Sequence, residues 1–256
     1  MILKRKIYKK LLEWKKECQG KKALLIEGAR RIGKSTICEE FGKSEYKSFL
    51  LIDFAKKDKE VEGYFEKYLN DLDTFFMLLQ THFGTKLTER NSLIIFDEVQ
   101  MFPQARAAIK YLVADGRYDY IEIGSLISIR ENVKNIVIPS EERHINMYPL
   151  DFEEFAIALE EDLLVEYIKK CFEKREPLER SMHNQAMLLF HQYMLVGGMP
   201  MPVVTFIESK KDFTEADREK RDILKLYRED IMKIDAKYRS KVLAIYDQIP
   251  GFLSQH

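Results

Sequence analysis

Hydrophobic positions along the chain alternate between two rhythms. In residues 4–17 (KRKIYKKLLEWKKE), Ile7, Leu11 and Trp14 recur at helical spacing, which predicts an amphipathic helix. The run KALLIEG then clusters its apolar residues and stops at Gly28, the pattern of a strand buried on both faces. Helix formers follow from Lys34 to about Phe41, and Phe49 to Phe54 predicts a second strand. Residues 58–83 read as one helical stretch, with Phe65, Leu69, Leu72 and Phe76 at core positions. Leu93 to Phe96 is a third strand, Pro103 opens a helix through Val113, Tyr120 to Ile123 is a fourth strand, and a fifth lies near His144 to Tyr148. Strands alternating with helices predict a parallel sheet covered on both faces. From Phe152 onward amphipathic helices dominate, apart from a strand stub at Val203-Val204.

Chemistry enters at the first strand. Gly28-Ala29-Arg30-Arg31-Ile32-Gly33-Lys34-Ser35 matches GxxxxGK[ST] at every fixed position, between an apolar strand and a helix as that pattern requires. The glycines let the backbone curl so that successive N–H groups converge on phosphate oxygens, and the following helix turns its positive end to the same anion. Lys34 is expected to reach the β- and γ-phosphates and the Ser35 hydroxyl to ligate Mg²⁺, with Thr36 completing the nucleotide-binding segment. LIIFDEVQ, residues 93–100, supplies a second component. Asp97 emerges where a parallel strand meets the ligand-binding edge of the sheet, placed to hold Mg²⁺ through water. Glu98 is placed to polarise a water for attack on the γ-phosphate. No [NT]KxD guanine signal occurs, so adenine nucleotide is expected. The fold class predicted is α/β: a P-loop NTPase three-layer α/β/α core with a parallel sheet, then a helical lid subdomain.

Composition narrows the classes that remain. The 42 basic and 42 acidic residues cancel, so no overall charge draws the chain to nucleic acid or to a membrane. Lys4, Arg5, Lys6, Lys9, Lys10, Lys15 and Lys16 crowd the N-terminal helix, either as a solvated face or as a site for a local anionic partner. Cys18, Cys38 and Cys171 are scattered without CxxC spacing, which argues against a disulfide framework or a zinc site, and the five histidines show no ligand spacing. No secretion signal or membrane-length apolar run is present, so a cytoplasmic protein is expected.

These residues also resemble a known group, the prokaryotic AAA-type ATPases whose members usually carry an uncharacterised C-terminal domain. The resemblance runs through the Leu12-x-Trp14 helix, GARRIGKS, IIFDEVQ, Gly124-Ser125, Tyr148-Pro149-Leu150-Asp151-Phe152-Glu153-Glu154-Phe155 and Gly197-Gly198-Met199-Pro200. It implies that Ser125 is a polar sensor of the γ-phosphate, although a serine there also suits a helix N-cap. It implies an arginine-finger role for Arg143, with Glu142 standing where the group has glycine. Arg30 and Arg31 are usual in the group and face a neighbouring subunit or solvent. Gly197 to Pro200 resembles a turn in the lid, and Tyr148 to Phe155 the start of a lid helix. The implied organisation is residues 1–150 as the ATPase core with its N-terminal helix, 151–240 as the lid, and 241–256 as the start of a C-terminal domain not included in this chain.

The function expected on these grounds is an ATP·Mg-dependent ATPase whose hydrolysis moves a partner, protein or DNA, with room for a homo-oligomer. The alternatives are a non-hydrolysing ATP-dependent switch and, less well marked, a small-molecule kinase.

Overall fold

The structure, a computed structural model, describes residues 1–124, 141–232 and 234–254. Its residues divide into two compact units, Ile2–Glu154 and Phe155–His256, the second taking in Met1. The first unit opens with α1 (Ile7–Cys18), which buries Ile7, Leu11, Trp14 and Cys18 at the predicted spacing. Then come β1 (Ala23–Glu27), α2 (Lys34–Glu45), β2 (Ser48–Asp53), α3 (Lys59–Tyr68), α4 (Leu72–Phe83), β3 (Ser92–Asp97), α5 (Pro103–Asp115), β4 (Asp119–Gly124) and β5 (Glu142–Asn146). The strands form one sheet in the order β2-β3-β4-β1-β5, and every pairing is parallel. The second unit is helical: α6 (Phe152–Ala158), which begins at the end of the first, α7 (Asp162–Lys174), α8 (Arg180–Val196), α9 (Pro200–Glu208), α10 (Phe213–Ile231) and α11 (Ala236–Leu253). This is an α/β P-loop core followed by a helical C-terminal part.

Each strand of a parallel sheet is covered on both faces, so its side chains read as apolar runs rather than alternations. One face of the sheet carries the largest core, where Leu50, Ile52, Ile94, Phe96 and Tyr120 meet Val61 and Phe65 of α3, Phe75, Phe76 and Leu79 of α4, and Ile109 and Leu112 of α5. Helix α2 packs on β2, β3 and β4. Register sets what the chemistry can use. Asp53 stands beside Asp97 at the C-terminal ends of β2 and β3, and the loop after β1 leaves from the same edge.

Three sequence expectations need correction. The single helix over 58–83 is two, because Asp71 accepts from Thr74 N (3.2 Å) and Thr74 Oγ1 (2.6 Å) and so caps a fresh start for α4. Leu69 and Leu72, at that break, are only partly buried against the core. Val203 and Val204 lie inside α9, not in a strand, since Pro200 starts a helix that turns Val203 and Phe206 inward together. The fifth strand begins and ends about two residues earlier than expected. Met147 N still donates to Glu27 O at 2.8 Å, after which Tyr148-Pro149 leads the chain away. The Gly197–Pro200 segment is the expected turn between two helices, with Gly197 at φ +81°. Among the described residues no single helix is long and apolar enough to cross a membrane; α8 and α9 pass only as a pair bent by 120°.

The fourth strand also buries a charged group. Glu122 of β4 is fully buried next to the ion pair between Arg106 of α5 and Glu142 of β5, at 2.9 Å. His144 and Glu27 flank Glu142 on the same sheet face, His144 Nε2 lying 3.3 Å from Glu142 and its Nδ1 3.7 Å from Glu27. Burial and then the Glu142 carboxylate push the Glu122 pKa well above the carboxylate range, against the pull of Arg106. Folding above the unfolded pKa therefore takes up a proton, and that contribution to stability is lost as pH rises toward the folded pKa. Glu122→Gln should consequently be more stable than the wild type at neutral pH. In urea melts between about pH 5 and pH 8 the gap should widen by at most about 1.4 kcal/mol per pH unit. A gap that is constant or shrinks with pH would mean Glu122 is ionised in the folded protein.

Candidate functional site

The loop from Gly28 to Gly33 is shaped by three backbone constraints. A Cβ on Gly28 would lie 2.4 Å from Met147 O and 2.6 Å from Ile32 Cδ1, so the close approach of the β5 exit admits only glycine. Arg31 and Gly33 are both left-handed, at φ +67° and +88°, and Gly33 is the N-cap of α2. The Ile32 side chain is buried and pins the loop from below, while Ala29, Arg30 and Arg31 are exposed along its rim. The result is a curl whose chain direction reverses immediately before a helix N-terminus, an arrangement suited to an anion.

Lys34 lies folded against that curl. Its Nζ donates to Gly28 O at 3.1 Å and Ala29 O at 2.7 Å, and the side chain is buried. Burial lowers its pKa; the Glu98 and Asp97 carboxylates oppose the shift, and the nearby Arg30 cation adds to it. The Ser35 hydroxyl hydrogen-bonds the Asp97 carboxylate across the space between α2 and β3. Asp97 Oδ1 also accepts from Glu98 N at 2.9 Å. Burial raises the Asp97 pKa, with Ser35 and the Glu98 amide pulling it down and the Glu98 and Asp53 carboxylates pushing it up. The loop and the DE pair, about 60 residues apart in sequence, thus share one edge of the sheet.

The family match agrees with this geometry. Residues 20–156, more than half of the chain, match the AAA domain. The chain belongs to the AAA domain family. The matched span contains the loop from Gly28 to Ser35, Asp97 and Glu98 and ends within α6. No curated protein matches the chain. Similar solved structures include the Aeropyrum pernix ORC1 protein in complex with DNA (10% identity, 77% of this chain and 68% of that one, TM-score 0.38) and C. elegans PCH-2 (11% identity, 84% and 64%, TM-score 0.38). This chain therefore spans about two thirds of the length of either.

Within the AAA domain, Glu98 is held in an unusual way. Its backbone is left-handed, at φ +50° and ψ +43°, which a non-glycine residue adopts at a cost. That turn carries the chain out of β3 into a short 3-10 turn, Val99–Met101, and Gln100 Nε2 donates to Glu98 Oε2. Gln100 is itself buried, so the carboxylate is oriented by a fixed neighbour. Neither Gln100 nor Asp53 carried a sequence signal beyond its place near a strand end.

One expected residue stands apart from the cluster, and another lies outside the described residues. Arg143 lies near the start of β5, paired with Leu24, about 10 Å along the strand from the edge that carries the loop. Its Nη1 donates to Glu17 Oε2 of α1 at 2.7 Å, so the structure does not bring it to the phosphate loop of its own chain. Ser125 lies outside the described residues. Of the N-terminal basic residues, Lys4, ahead of α1, and Lys9, Lys10 and Lys16, on its polar face, are exposed. Arg5, Lys6 and Lys15 instead hydrogen-bond within the chain.

Proposed function

We propose that this AAA domain binds ATP with Mg²⁺ and hydrolyses it, using the energy to move a partner. The reading rests on one observation: the Ser35 hydroxyl, the Asp97 carboxylate and the Lys34 ammonium converge beside a loop whose backbone is curled for an anion. The donors suit the ligand. Ser35 and Asp97 offer hard oxygens of the kind Mg²⁺ takes one or two at a time, leaving the rest of its shell to phosphate and water. When bound, the ion would neutralise charge on the phosphate chain. Lys34 and the loop amides hold the phosphates, and Glu98, adjacent to Asp97, takes the proton of the attacking water. Asp97 has a raised pKa, so its metal affinity should fall as pH drops through that value.

The deciding experiment compares nucleotides on the purified chain. ADP with Mg²⁺ should bind at least about tenfold more tightly than AMP, because the β-phosphate is what the loop and Lys34 recognise. ATP should release phosphate with Mg²⁺ and not with chelator. Equal binding of AMP and ADP, or no binding of either, refutes the site. Tight ATP binding without phosphate release retains the site and makes the domain a switch.

A further inference from the structure

The segment ahead of α1 places one side chain behind the phosphate loop. Arg5 is almost fully enclosed, its side chain 6% exposed, and each nitrogen of its fork has a different partner. Nη1 donates to Ile32 O at 3.0 Å, Nη2 to Tyr148 O at 2.6 Å, and Nε to Glu154 Oε1 at 3.2 Å. The Glu154 carboxylate is oriented in turn by Lys6 N at 2.6 Å and Asp151 N at 3.2 Å, while Asp151 Oδ1 accepts from Glu154 N at 2.9 Å. That reciprocal pair is a capping box at the start of α6. Arg5 is therefore braced by a helix terminus on one side and grips the loop on the other.

From this geometry we infer that Arg5 is a positioning residue for phosphate binding, acting through the Ile32–Gly33 peptide plane. The inference rests on the nucleotide reading above. In a trans peptide the C=O and the next N–H point in opposite directions. With Ile32 O held by Arg5 from behind the loop, Gly33 N–H is aimed the other way, into the curl. The plane needs such a restraint because Gly33, at φ +88°, has no Cβ to resist rotation. A lysine could not replace the arginine, since a single ammonium on a flexible stem cannot span three acceptors in one rigid plane. Arg5 touches no phosphate in this scheme. It orients a donor that does, while its charge is balanced by the Glu154 carboxylate.

The test measures Mg·ADP affinity, melting temperature and the Gly33 amide resonance in the same full-length samples. In the wild type, Mg·ADP should move the Gly33 amide proton downfield. Arg5→Ala and Arg5→Lys should each weaken Mg·ADP by about tenfold and abolish most of that shift. If Arg5 only anchors the N-terminal segment, both variants will melt earlier yet keep the wild-type affinity and the wild-type Gly33 shift, and the inference is wrong. Removing Arg5 alone leaves Glu154 buried without its cation. Where that prevents folding, Arg5→Met with Glu154→Gln removes both charges, keeps an acceptor oxygen for one of the Lys6 and Asp151 amides, and is measured instead. A wild type that does not bind Mg·ADP overturns the nucleotide reading and this inference with it, and is told apart by the failure of the unmodified chain.

Discussion

Lys34→Ala is expected to weaken Mg·ADP binding by about 100-fold or more, with the fold intact. Truncating one partner of a buried, hydrogen-bonded charge pair costs about 2–5 kcal/mol. Lys34 has that character, since its ammonium is enclosed and already directed at the loop through Gly28 O and Ala29 O. The alanine also leaves those two carbonyls without a donor, which loosens the loop that must receive the phosphate. A pH signature accompanies the loss. Burial holds the Lys34 pKa below its ordinary 10.5, and a bound polyanion favours the charged form, so binding takes up a proton at alkaline pH. Wild-type affinity should fall as pH rises through the free-state pKa, and Lys34→Ala should lack that slope. Titration calorimetry in buffers of different ionisation enthalpy reads both effects. An alanine variant within about threefold of wild-type affinity would put the phosphate elsewhere, because one charge-assisted hydrogen bond alone is worth more than that.

The legible parts of this molecule are those in which local pattern and global fold ask for the same residues. Leu24 to Ile26 and Leu93 to Phe96 read as buried strands because both sheet faces are covered, and they are buried. The phosphate loop was legible for a different reason: its glycines, lysine and serine each answer a separate physical demand, so the match is hard to reach by accident. What failed to show were features that the hydrophobic pattern does not record, some set by a local cap or proline and some by distant partners. The capping aspartate at 71 overrode an uninterrupted helical pattern, and Val203-Val204 took the helix that Pro200 starts. Glu122 sits in the middle of YIEI, a strand covered on both faces; only the α5 residue Arg106 and the β5 residue Glu142 make its burial intelligible. Arg5 gave no sign of its place behind the loop, because its partners lie 27, 143 and 149 residues away. In composition it was one of seven cations, and charge counting treats all seven alike.

Glu98→Gln should leave Mg·ADP affinity unchanged and lower ATP turnover by about 100- to 10,000-fold, the range a positioned general base supplies. The substitution is nearly isosteric. It keeps an acceptor for Gln100 and introduces no new backbone demand, since glutamine and glutamate meet φ +50° with equal reluctance. That left-handed backbone is itself informative. A non-glycine residue stays in that region only where its surroundings hold it, and here the Asp97 carboxylate binds the Glu98 amide while buried Gln100 binds the side chain. Such a restraint makes sense if the carboxylate must point at one place, and it has little use if Glu98 merely ends a strand. Phosphate release and nucleotide affinity measured on the same samples separate the cases. A drop in turnover with affinity preserved assigns the proton-accepting role to Glu98. Wild-type turnover in the glutamine variant removes that role, and Asp53, aligned with Asp97 at the same sheet edge, becomes the carboxylate to replace next.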